Sequence, residues 1–257
     1  MGGEHAPAAR LTLVRAARDP DEGLTAVPYD KGAAFLRTIE EAVGRERFDR
    51  YLRSYFDRHA FQPMTTERFL ADIREHLFAG DEELEAKIDL DRWVFEPGLP
   101  ENAVVPRSER LRAAEAAAER FAGGAPAAAI AFDKWSTPER LRFLNALPRQ
   151  LATARLRTLD EEYELNETEN SEVLFAWLKL AVDNRYRPAL APLERFLVGM
   201  GRRKFVAPLF ETLAEEGEWG RPIAERIYRK ARPRYHSVTR GTVDEILGYR
   251  PDRAEAA

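Results

Sequence analysis

A chain of 257 residues, 33% charged and 44% hydrophobic with a formal net charge of −4, has the composition of a folded, helix-rich globular protein and can bury one large core or two ordinary ones. Its interspersed acidic and basic residues leave no basic face of the kind that holds nucleic acid, and no apolar run approaches the roughly 18 to 20 residues of a membrane-spanning helix. The lack of cysteine excludes disulfides, thiolate metal sites and cysteine nucleophiles.

In chain order, residues 1–18 are rich in Gly, Ala and Arg and form a poorly defined edge, with Leu11 to Val14 as the one apolar cluster. Met1 to His5 offers neither the basic nor the apolar part of a secretory signal, so a cytoplasmic location is expected. Apolar spacing predicts a helix over 30–43, stopped by Gly44, and a second over 45–59 with Phe48, Tyr51, Leu52, Tyr55 and Phe56 on one stripe. Thr65 or Thr66 caps a third, whose inner face is expected to hold Phe69, Ile73, His76 and Leu77. An acidic stretch over 81–91 leads to Trp93 and the turn Pro97-Gly98-Leu99-Pro100, read as the end of a first domain, with 96–106 as linker.

From 107 to 250 the pattern is helical throughout, with a cap at Ser136-Thr137-Pro138 and breaks near Pro148, 165–170, 184–188, 199–201, 217–222 and Pro233. No strict repeat is present, so a curved, α-solenoid-like stack of antiparallel helices is expected, followed by a tail over 251–257. The predicted fold class is all-α.

Candidate chemistry is sparse. The four histidines, His5, His59, His76 and His236, include no pair at the i, i+4 spacing of two zinc ligands on one helix. Tyr29, in Val27-Pro28-Tyr29-Asp30-Lys31-Gly32, stands at a helix entrance, where its hydroxyl can donate to an oxyanion or simply meet water. Gly201-Arg202-Arg203-Lys204 is equally a solvated basic helix start or an anion site. Arg202 and Lys204, two residues apart, point to different sides of a helix and converge only if the turn at 199–201 bends the chain.

The Val27 to Gly32 segment, with Asp19-Pro20-Asp21 before it, resembles the M1 metallopeptidases, and within them those of the leukotriene A(4) hydrolase type. The same order is kept by Trp93 with Pro97 to Pro100, by Asn170-Ser171-Glu172 with Phe175 and Trp177, by Gly201 to Phe205 with Pro208-Leu209-Phe210, and by His236 to Thr239. These matches span most of the chain.

The resemblance implies that residues 19–95 are the helical end of a thermolysin-like catalytic domain and 107–250 the helical C-terminal domain. Tyr29 then stabilises the transition state of peptide hydrolysis, Asp21 shapes the substrate pocket, and Arg202 and Lys204 hold the carboxylate of a short peptide. Zinc belongs to the complete enzyme, yet the His-Glu-x-x-His motif is absent from this sequence, as is the Gly-x-Met-Glu-Asn type strand that takes a peptide's amino end. The expectation is a chain that begins downstream of both, binds no metal and is inactive alone, its partner being the zinc-bearing catalytic region, with neither nucleic acid nor membrane. The complete enzyme is expected to be monomeric. In isolation, residues 1–80 are expected to leave apolar helix faces open. The alternative is a non-catalytic helical scaffold or interaction module of the same descent.

Overall fold

A computed structural model describes Leu11, residues 27–104 and residues 107–250, and among them there is helix and no strand. The chain divides into two compact units, Met1–Arg107 and Ser108–Ala257.

The first unit opens with α1 (Val27–Val43) and α2 (Arg45–Arg58), joined at Gly44, whose φ of 81° is one that a side chain would resist. α3 (Thr66–Asp72) is capped by Thr65, which accepts from the Arg68 amide, and runs on as a π-turn over Ile73–Phe78. α4 (Glu82–Ile88) and α5 (Leu90–Phe95) make up the acidic stretch, each started by an aspartate, Asp81 and Asp89, that accepts from a backbone amide three residues on. Phe35 and Ile39 of α1, Phe48 of α2, Leu77 and Phe78 of the π-turn and Trp93 of α5 build the core. Phe35 and Trp93 stack with centroids 5.3 Å apart.

The inner face expected for the third helix differs in the structure. His76 is exposed while Asp72 is buried, because the π-turn takes an extra residue and swings the helix face. Phe56 continues the stripe of α2 as expected and stands 67% exposed. Residues 96–104, expected as a linker, are held to the first unit: Lys31 Nζ donates to the Glu96 carbonyl at 2.6 Å, the Val104 amide to Thr38 Oγ1 at 3.0 Å, and the Trp93 indole to Asn102 at 3.1 Å. Among the described residues the large apolar side chains left open are Tyr29, Leu36, Phe56, Phe61, Phe95 and Leu99 in this unit and Val238 in the other.

The second unit comprises α6 (Glu109–Ala122), α7 (Thr137–Ala146), α8 (Thr153–Tyr163), α9 (Ser171–Asp183), α10 (Leu190–Gly199), α11 (Arg203–Glu215), α12 (Gly217–Ala231) and α13 (Ser237–Leu247). α6 packs on α7, α7 on α9, α9 on α11 and α11 on α13, while α12 lies against both α10 and α11. Helices two apart in sequence are therefore neighbours, the arrangement of stacked helical hairpins. Sequence spacing explains the contacts: Ala114, Ala117, Ala118 and Phe121 give α6 a small, buried stripe, and Val173, Ala176, Trp177, Leu180 and Ala181 do the same for α9. Glu139, in the capping box of α7, receives the Arg110 guanidinium through two 2.9 Å bonds and so ties α6 to α7.

The break expected over 217–222 falls at its first residues, between the end of α11 at Glu215 and the start of α12 at Gly217, whose φ is 56°, and the rest of the segment is helical with Pro222 inside. A proline there frees only the carbonyl of Glu218, which is exposed to water. Gly220 is present for proximity rather than for a turn, since a Cβ at that position would lie 2.1 Å from the Leu213 carbonyl oxygen. Helix propensity favours Gly220→Ala by about 1 kcal/mol, but a clash with backbone outweighs it. The variant is expected to lose about 2 kcal/mol of stability in urea melts of the second unit. An unchanged midpoint would mean that α11 and α12 separate without cost.

Candidate active-site residues

Tyr29 lies in the first turn of α1, not ahead of it. Helical spacing gives α1 two stripes. Lys31, Phe35, Thr38 and Ile39 turn inward, and the buried Lys31 ammonium is accommodated because the Glu96 carbonyl receives it. Tyr29, Ala33 and Leu36 form the adjacent stripe, lining a groove of about 580 Å³ whose other walls include Leu11, Met64, Phe69 and Val94. The tyrosine is 71% exposed, so its hydroxyl is open to whatever enters that groove. Asp21 lies outside the described residues.

The first unit also holds a network that periodicity did not reveal. The buried Asp72 carboxylate accepts from Tyr51 at 2.9 Å, from Arg58 at 2.9 to 3.2 Å and from His59 Nε2 at 2.7 Å. Burial pushes this carboxyl upward, but the bonds from Arg58, His59 and Tyr51 prevail and hold it at about 2. Burial, with the Asp72 contact behind it, drives the Tyr51 phenol far above its ordinary value. His59 and His76 are thus helix-terminal and surface side chains grouped around an aspartate. Among the described residues, no group of three or more His, Asp or Glu side chains could hold a metal ion.

In the second unit, Arg202 is the extended residue before α11, with φ −75° and ψ 116°, and Lys204 lies in the first helical turn. Because Arg202 is outside the helix, the two cations do not diverge as helical neighbours would. Both approach the Phe205 ring, the Arg202 guanidinium at 5.8 Å and Lys204 Nζ at 4.5 Å from its centroid. Phe175 of α9 and Phe196 of α10 hold that ring, with centroids at 5.3 and 5.8 Å. Thr239 Oγ1 of α13 donates to the Gly201 carbonyl at 3.2 Å and fixes the turn. Lys204 Nζ is ion-paired with Glu172, at the start of α9, whereas Arg202 has no carboxylate partner among the described residues. Glu172 escaped the sequence reading as a site residue, although it stands in the Asn170-Ser171-Glu172 motif; only the packing of α9 on α11 brings it to Lys204.

The family model described as the peptidase family M1 domain matches residues 5–93, and that described as leukotriene A4 hydrolase, C-terminal, matches residues 135–247. Together the two matches support a C-terminal portion of a peptidase family M1 protein of the leukotriene A4 hydrolase type. It is 26% identical over 253 residues to leucine aminopeptidase 2 of Ajellomyces capsulatus, covering 93% of this chain and 39% of that protein. With aminopeptidase B of Mus musculus the identity is 26% over 265 residues, covering 96% and 40%. Among solved structures, yeast LTA4 hydrolase in complex with bestatin superposes with a TM-score of 0.79 at 20% identity, covering 96% of this chain and 43% of that one, a likeness of fold. The chain thus spans about 40% of the length of the curated relatives it matches.

Proposed function

We propose that this chain is the C-terminal part of an M1 zinc aminopeptidase acting on short peptides, residues 19–95 completing the catalytic domain and 107–250 forming the helical C-terminal domain. In this reading Tyr29 donates its hydroxyl to the oxyanion of the tetrahedral intermediate, Asp21 shapes the pocket, and Arg202 with Lys204 receives the peptide's terminal carboxylate. The observation that carries it is the placement of Tyr29: a large polar aromatic, 71% exposed at a fixed helix start, lining an apolar groove in the segment matched by the peptidase model. Zinc, when bound in the complete enzyme, supplies a Lewis acid and an activated water. Among the described residues no group of three or more His, Asp or Glu side chains could hold it, and in this reading the metal is held by a part of the complete enzyme outside them.

Mixing the purified chain with a separately produced zinc-bearing half is expected to restore cleavage of an aminoacyl aryl amide. Association without hydrolysis would favour the alternative, a helical scaffold derived from the family. In the reconstituted enzyme Arg202→Ala is expected to raise KM for a tripeptide by about tenfold or more, and to leave the aryl amide, which has no carboxylate, within about twofold. Equal losses for both substrates would remove Arg202 from the carboxylate site.

A further inference from the structure

We infer that Glu172 is an internal stand-in for the substrate carboxylate, occupying Lys204 and setting how tightly the basic turn takes the C-terminal carboxylate of a peptide. The inference rests on the reading of Arg202 and Lys204 given above and adds to it a residue that determines affinity. Glu172 is presented from a fixed place: Asn170 Oδ1 accepts from the amides of Glu172 and Val173 at 3.1 and 3.2 Å, and Asn170 Nδ2 donates to Thr137 Oγ1 at 2.9 Å. The contact of Phe175 with Phe205 then locks the same turn of α9 against the start of α11. The result is a carboxylate on the ammonium of Lys204, beside a ring that Lys204 and Arg202 share.

A lysine ammonium has three donors and no fixed fork, so one carboxylate can replace another upon it without rebuilding the site. The pair is open, its side chains 49% and 42% exposed, and exposed ion pairs contribute little to stability. Glu172 is therefore displaceable. Its charge also opposes an incoming anion, so the site as built takes a peptide carboxylate against an internal competitor. Arg202, with no carboxylate partner among the described residues, is the cation that makes first contact. The ligand class that this arrangement selects is a peptide with a free C-terminal carboxylate, in preference to its amide.

The test uses the whole chain, with tri-alanine and tri-alanine amide as probes, followed by NMR shifts of the arginine Nε–H groups and by calorimetry. Glu172→Gln is expected to tighten tri-alanine binding by about three- to tenfold and to leave the amide unchanged. Glu172→Asp, which keeps the charge on a shorter arm, is expected to fall between the two and guards against an effect of α9 unravelling. Unchanged or weaker binding of tri-alanine by Glu172→Gln, with Arg202→Ala still causing a loss, overturns the role of Glu172 alone. If Arg202→Ala also has no effect, the carboxylate site itself falls.

Discussion

Replacing Tyr29 by phenylalanine in the reconstituted enzyme is expected to lower kcat by about 10²- to 10³-fold, the cost of removing one preorganised donor to an oxyanion. The expectation concerns chemistry rather than folding. The Tyr29 side chain is 71% exposed, so loss of one hydroxyl should change the chain's stability by no more than about 0.5 kcal/mol. A donor that acts only in the transition state lowers kcat and kcat/KM together and leaves KM nearly fixed. Steady-state kinetics on an aminoacyl aryl amide, paired with thermal melts of the same protein, separates the two effects. A variant that melts normally and turns over at the wild-type rate would place the oxyanion donor elsewhere.

Asp72→Ala is expected to destabilise the first unit by about 3 kcal/mol. The substitution leaves the Arg58 guanidinium, the Tyr51 hydroxyl and the His59 ring without their common acceptor in a buried site. Arg58 can partly turn to solvent, which keeps the loss at the lower end for a broken buried pair. The same carboxylate imposes a pH dependence. Its folded value, about 2, lies below the ordinary 3.8. The stability it contributes is complete above pH 3.8 and is lost as pH falls from there through about 2. Urea midpoints measured down this range should fall more steeply for wild type than for Asp72→Ala, and parallel curves would show that the network does not hold the unit together.

The helices were legible because a 3.6-residue period over ten or more residues has few competing readings. What the period could not supply was the cause of each irregularity. The π-turn at Ile73–Phe78 leaves no mark in apolar spacing, so His76 was assigned to the face that Phe78 occupies. Gly217 to Pro222 has the composition of a break, yet Gly220 serves the contact with Leu213, a tertiary fact. Phe56 and Phe61 show the opposite limit, since apolar identity does not disclose whether anything covers a residue. Tyr29 could be placed at a helix entrance from its neighbours alone. The approach of Arg202 and Lys204 to one ring could not, because it depends on an extended Arg202 and on Phe205 being held by two other helices.

The bonds from Lys31 to Glu96 and from Val104 to Thr38 determine where this polypeptide can be divided. A cut after Phe95, where composition first suggests a joint, would strip α1 of the carbonyl that receives its buried ammonium and of the amide that satisfies its buried threonine. Both losses fall on the helix that carries Tyr29. A gene split, a protease nick or a fragment exchange that keeps both bonds passes after Val104, so the nine residues from Glu96 to Val104 travel with the first unit.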